Sequence, residues 1–181
     1  MKYSVAEGMS FTRSYAAEMR LLDFPSHPRM NCSWEVPVPH LSPQTLTQAE
    51  QRTLLRATSG NRRDHLIYSL ALGTGLRLTE IVGLNVGDLY TTGGKPKNRV
   101  RLRPEIAKNG RAGDVFLPDA LLAKFRRFWR HNAARRDGLR PEDPLFCSQS
   151  RTRISPRRVQ FAFRTWQVKA GFDRLYPFHC L

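Results

Sequence analysis

The chain has 181 residues, 40% of them hydrophobic, with 30 Lys+Arg against 15 Asp+Glu for a net charge of +15. That length suits one domain, or one domain with a tail; no apolar run approaches the roughly 20 residues of a membrane helix, and the N-terminus has no signal-peptide apolar block, so the sequence predicts a cytoplasmic protein with no membrane partner. The three cysteines, Cys32, Cys147 and Cys180, are widely spaced and form no CxxC pair, which argues against a disulfide framework or a zinc ribbon.

Residues 1–45 show little periodicity, and Pro25, Pro28, Pro37, Pro39 and Pro43 break any long helix. Apart from a short helix at "AAEMRLLDF", the region reads as a poorly ordered arm or linker. A helix then starts at "TQAEQRTLLRA", where Thr47 and Glu50 make a capping box, Leu54 and Leu55 supply the buried side and Gly60 ends it. "RDHLIYSLALG" is a second helix, with Leu66/Leu70 and Ile67/Ala71 at helical spacing. Gly73 and Gly75 are expected to break it and allow a tight turn into a third, short helix, "LTEIVGL".

The period then changes. "NRVRLRPE" alternates, with Val100 and Leu102 on one side and Arg99, Arg101 and Arg103 on the other, as in a half-buried strand with a cationic face. A Gly-rich turn leads to "DVFL", and the two strands predict a β-hairpin carrying Lys108 at its turn and Arg111 beside it. Asp119 caps "ALLAKFRRFWRHNAARR", whose Leu121, Leu122, Phe125, Phe128 and Trp129 form an apolar stripe, with Arg126, Arg127 and Arg130 on the solvated side. "PLFCS" is extended. Ser155 and Pro156 open a last helix, "PRRVQFAFRTWQVKAG", closed by Gly171. The fold class is therefore α+β and mainly helical, with a small antiparallel sheet or hairpin inserted between helices.

The charge is unevenly spread. Residues 1–45 hold four basic and four acidic side chains and residues 46–181 hold 26 and 11, so the whole excess lies in the later segment. An excess of that size repels itself unless a polyanion offsets it, and nucleic acid is the expected polyanion. Arg157 and Arg158 fall in the first turn of the last helix, where cations oppose the helix dipole and an anionic partner would relieve them. His27, His40, His65 and His131 are scattered without metal-ligand spacing, and "TTGGKPKN" is not a phosphate-binding P-loop, so no metal or cofactor is expected.

Arg77 stands out in the apolar stretch "LALGTGLRLTEIVGLNVGDL". The glycine turn places it at a helix start, and Glu80, three residues on, shares its helical face. The pair is either an ordinary surface ion pair or a preorganised guanidinium whose orientation Glu80 fixes, able to stabilise charge developing on a phosphodiester.

"TGLRLTEIVGLNVGDL" resembles the first catalytic box of the tyrosine recombinase (phage integrase) family, from the Thr-Gly-Leu-Arg turn to Asp88. Later features follow the family's order. "AKNGRAGDVFLP" is similar to its catalytic hairpin, matching Lys108 to a lysine that protonates the 5′-oxygen leaving group, and "LYPFHCL" is similar to its His-x-x-Arg box, matching His179 to the histidine. The resemblance thus implies catalytic roles for Arg77, Lys108 and His179, support from Glu80, and nucleic-acid contacts from Arg99, Arg101, Arg111, Arg157 and Arg158. It implies double-stranded DNA as partner, assembly of protomers on that DNA, and metal-free integration or recombination through a 3′-phosphotyrosyl link.

There is one departure. The chain ends at Leu181, a residue short of the box's second arginine, and none of Tyr3, Tyr15, Tyr68, Tyr90 or Tyr176 holds the nucleophile's place. The expectation is a 46–181 segment that forms an incomplete recombinase catalytic domain, binds DNA and does not cleave it unaided. The alternative is a non-enzymatic basic DNA- or RNA-binding module.

Overall fold

In a computed structural model, residues 45–107, 110–135 and 139–181 are described. The expected N-terminal arm and the hairpin lysine, Lys108, lie outside them. The elements run α1 (Gln48–Ala57), α2 (Arg62–Thr74), α3 (Leu78–Gly83), α4 (Val86–Leu89), β1 (Arg99–Leu102), β2 (Gly113–Phe116), α5 (Asp119–Arg135), α6 (Pro156–Lys169) and a closing 3₁₀ turn, Phe178–Cys180. No helix among the described residues is long and apolar enough to cross a membrane.

Local chemistry sets most of these boundaries. The Thr47 hydroxyl accepts from the Glu50 amide at 3.3 Å while the Glu50 carboxylate accepts from the Thr47 amide at 2.7 Å, the two halves of a capping box. Ser155 Oγ accepts from the Arg158 amide at 3.2 Å and opens α6. Asn61, whose side chain accepts from the Asp64 amide at 3.1 Å, is a cap that the sequence reading passed over. Gly75 closes α2 in the left-handed region at φ +68°, its amide donating to Ala71 O at 2.8 Å. Gly73, expected as a breaker, lies inside α2. There α2 packs on α5, and a Cβ at this position would meet Leu121 Cδ2 at 3.5 Å, an ordinary van der Waals contact.

β1 and β2 pair antiparallel, Arg99 opposite Phe116 and Leu102 opposite Gly113, with Val100 and Leu102 buried as the alternation predicts. Residues 103–112 connect the strands, and Lys108 and Asn109 within them lie outside the described residues. Arg103 also leaves the cationic face expected of it. Its Nη2 donates to Gly83 O at 2.9 Å and its Nε meets Asp88 Oδ2 at 3.3 Å, tying the strand to the α3–α4 link. Arg153 does the same from the other side, donating to Val82 O at 2.7 Å and Leu84 O at 3.0 Å.

The core gathers Leu54, Leu66, Ile67, Leu70, Ile81 and Leu84 with Phe125, Phe146 and Phe163, all essentially without solvent contact. Tyr68, Phe163 and Phe178 form an aromatic triangle with centroid separations of 5.3, 5.4 and 6.1 Å. It joins α2, α6 and the chain's closing turn.

Candidate functional site

A cavity of about 590 Å³ opens where the α2–α3 turn, α6 and the closing 3₁₀ turn meet. Arg77, Gln160, Arg164 and His179 line it together with Leu76, Phe163 and Phe178, and among the described residues no acidic side chain lines it.

Arg77 comes to this cavity through the turn geometry. Gly75 reverses the chain, and Arg77 takes an extended backbone (φ −70°, ψ 151°) as the cap residue of α3. Glu80 Oε2 accepts from the Arg77 amide at 2.8 Å, whereas Glu80 Oε1 stands 3.7 Å from the guanidinium. The carboxylate side chain is 7% exposed and the arginine side chain 58%. The short bond is to the backbone, so Glu80 chiefly fixes where the arginine is rooted. The long, exposed ion pair adds well under about 1 kcal/mol, which leaves the guanidinium facing solvent over the cavity.

His179 arrives through a different set of clamps. The Gln167 side chain, fully buried, accepts from the Tyr176 amide at 2.7 Å and donates to Tyr176 O at 3.0 Å. The Tyr176 hydroxyl donates to Glu50 Oε1 at 2.8 Å and accepts from Arg174 Nε at 2.8 Å. Bonds from Thr47 side chain and backbone, and then from the Tyr176 hydroxyl, hold the Glu50 carboxyl below the usual carboxylate range. Phe178 and Cys180 point inward and His179, between them, is exposed.

Two predicted residues, Arg77 and His179, thus share one cavity. Glu80 lies buried beneath Arg77. Arg99 and Arg101 are on the exposed face of β1, with Arg99 3.7 Å from Asp114, and Arg111 is exposed ahead of β2. Arg157 and Arg158 are exposed in the first turn of α6, the Arg158 guanidinium 5.5 Å from the Phe161 ring centre. None of these five lines the cavity. Gln160 and Arg164 do, and sequence reasoning missed them. Their i,i+4 spacing puts them on one face of α6, a signal that was there to read.

The described tyrosine hydroxyls are each bonded or buried. Tyr90 donates to Phe125 O at 3.0 Å, Tyr176 is held by Glu50, and Tyr68 is enclosed in the core. Burial pushes the Tyr68 and Tyr90 phenols well up, away from the ionised, nucleophilic form. No group of three or more His, Cys, Asp or Glu among the described residues is placed to hold a metal ion.

A family model for the phage integrase family matches residues 44–181. The chain is 31% identical over 120 residues to tyrosine recombinase XerC of Neisseria gonorrhoeae, covering 62% of this chain and 33% of that protein. It is 27% identical over 157 residues to XerC of Caldanaerobacter subterraneus (83% of this chain, 41% of the relative) and 26% over 139 residues to XerA of Pyrococcus furiosus (74% and 44%). The chain therefore spans well under half the length of these curated relatives. Among solved structures, it is similar to the XerA recombinase (TM-score 0.63, 20% identity, 76% of this chain and 47% of that one). It is also similar to the XerH site-specific recombinase bound to palindromic difH substrate in a post-cleavage complex (TM-score 0.58, 18% identity, 76% and 39%). They share its fold, a mainly helical body with a small antiparallel sheet.

Proposed function

The chain belongs to the phage integrase family, and on that premise we propose that its 590 Å³ cavity seats a DNA phosphodiester during site-specific recombination. The observation that carries this reading is the meeting of Arg77 and His179, about a hundred positions apart in the chain, in a cavity with no acidic side chain among its described lining residues. Arg77 and Arg164 neutralise the non-bridging oxygens, and their attraction grows as charge builds on phosphorus in the transition state. His179 adds a third donor when its ring N–H faces the phosphate.

In this reading Lys108, from the connection between the strands, supplies the proton to the departing 5′-oxygen. Arg99, Arg101, Arg111, Arg157 and Arg158 hold the flanking duplex by its phosphates. Because the described tyrosine hydroxyls are buried or bonded, none of Tyr68, Tyr90 and Tyr176 is the nucleophile, and the 46–181 segment binds DNA without cleaving it unaided.

Two measurements test this. Duplex affinity should fall roughly tenfold or more in Arg77→Ala and in His179→Ala, the scale of losing one charged contact; affinity equal to wild type in both would overturn the phosphate seat. On a nicked suicide substrate, a covalent adduct mapped to Tyr68, Tyr90 or Tyr176 would overturn the exclusion of these three as nucleophile.

A further inference from the structure

Gly83 is the last residue of α3 and does not take a left-handed backbone; the positive-φ glycines among the described residues are Gly75, Gly94, Gly110 and Gly171. Alanine is the better helix former at such a position, so conformation gives no reason for glycine there. Space does. A Cβ on Gly83 would stand 2.6 Å from Ile106 Cγ2 and 3.0 Å from Ile106 Cβ. Both atoms sit at the branch of a stiff side chain, next to its own backbone, so a side chain at position 83 would have to push that backbone away.

The same glycine is held a second time. Its carbonyl accepts from Arg103 Nη2 at 2.9 Å. Arg103 Nε stands 3.3 Å from Asp88 Oδ2, an atom that also accepts from the Asn85 amide at 2.8 Å. Arg103 and Ile106 belong to one turn, in which the Arg103 carbonyl accepts from the Ile106 amide at 3.1 Å and from the Ala107 amide at 3.0 Å. Pro104 stands at the second position of that turn, where its fixed φ suits the geometry. The turn therefore reaches Gly83 from both of its ends, by a hydrogen bond from one and by packing from the other.

We propose that Gly83 is a positioning residue, the anchor through which the 103–107 turn fixes Lys108 relative to Arg77. Lys108 is joined directly to Ala107, one Cα step of about 3.8 Å beyond the anchored turn. Arg77 caps the opposite end of α3, whose six residues span about 9 Å. The contact sets a β-branched side chain against bare backbone, so no rotamer at position 83 can let the turn slide. What Lys108 is positioned for, a phosphate seated at Arg77, rests on the function proposed above.

The test is a set of duplex affinities measured on the full chain. In wild type, K108A should weaken binding severalfold and lower the slope of log affinity against log salt by about one. In G83A the turn is displaced, so adding K108A should change affinity by less than about twofold, while adding R164A costs the same factor as in wild type. A glycine that serves stability alone would leave the K108A factor at its wild-type size, and that result overturns the proposal. If G83A does not fold, Ile106 decides. I106A removes the branch that meets Gly83 and should shrink the K108A factor, whereas I106V keeps the branch and should restore it; a wild-type factor in I106A overturns the proposal. If K108A changes nothing in wild type, the role given to Lys108 above fails, and hydrogen exchange in G83A tests the anchor by itself. A rise at residues 106, 107 and 110 beyond that in α2 keeps the anchor, and one no larger there than in α2 overturns it.

Discussion

Glu80 holds the backbone of Arg77, through a 2.8 Å bond to its amide, more tightly than it holds the guanidinium, 3.7 Å away. The distinction predicts different outcomes for two substitutions. Glu80→Gln keeps a carbonyl oxygen to receive the amide and should cost little stability. Glu80→Ala removes the cap acceptor of α3 from a buried position and should cost about 1–2 kcal/mol in urea unfolding. It should also loosen the root of Arg77, so duplex affinity falls further in the alanine variant than in the glutamine one. Equal affinity in the two would show that charge on Glu80, and not its grip on the backbone, is what matters.

Two glycines should respond unequally to alanine. Gly75 has φ +68° with nothing within 4 Å of a built Cβ, so Gly75→Ala incurs conformational strain alone, about 1–2 kcal/mol. At Gly94, φ is +74° and a Cβ would overlap the indole of Trp129, which packs 4.8 Å from Tyr90. Gly94→Ala should cost more, and should also change the near-ultraviolet circular dichroism as Trp129 is displaced from Tyr90. Gly75→Ala should leave that signal unchanged.

These features differ in how far the sequence announces them. Capping residues act over three or four positions, so Thr47 with Glu50 and Ser155 with Pro156 are visible in the chain itself, as is the alternation that buries Val100 and Leu102. Gly73 misleads because a helix interior tolerates a single glycine at a cost of about 1 kcal/mol, and α2 continues through it to the Gly75 cap. Arg103 reads as part of a cationic strand face, but it and Arg153 donate to backbone carbonyls around the α3–α4 link, a demand created only by the fold. Arg164 and Gln160 face the cavity for a similar reason. The local pattern gives their shared face, and only the docking of the closing 3₁₀ turn against α6 gives that face a purpose.

The Gln167–Tyr176 clamp should control His179 without touching it. Gln167→Ala removes three hydrogen bonds, to Phe163 O, Tyr176 O and the Tyr176 amide, and leaves a buried gap. A loss of about 2–4 kcal/mol is expected. Hydrogen exchange at residues 176–181 should rise more than at α2, and duplex affinity should fall at temperatures where the variant is still folded. Uniform acceleration of exchange would mean that the clamp serves global stability and has no special hold on the closing turn.

Acid should weaken the fold through His65. Its ring sits half-buried between α1 and α2, Nδ1 standing 3.0 Å from Leu55 O and 3.2 Å from the Thr58 hydroxyl. Burial comes first, and the nearby positive charge of Lys124 second, in lowering its pKa from the ordinary value near 6.5. A folded pKa below the unfolded one means that the unfolded chain takes up the proton first. The contribution of neutral His65 is therefore whole above about 6.5 and is lost as the pH falls through that value toward the folded one. Denaturant midpoints should drop between about pH 7 and pH 5, where most carboxylates have yet to titrate. His65→Asn keeps an N–H donor near Leu55 O and cannot titrate, so its midpoint should be lower at neutral pH and flatter across that window. If the variant keeps the full wild-type slope, the acid sensitivity belongs to another group and the burial of His65 does not govern it.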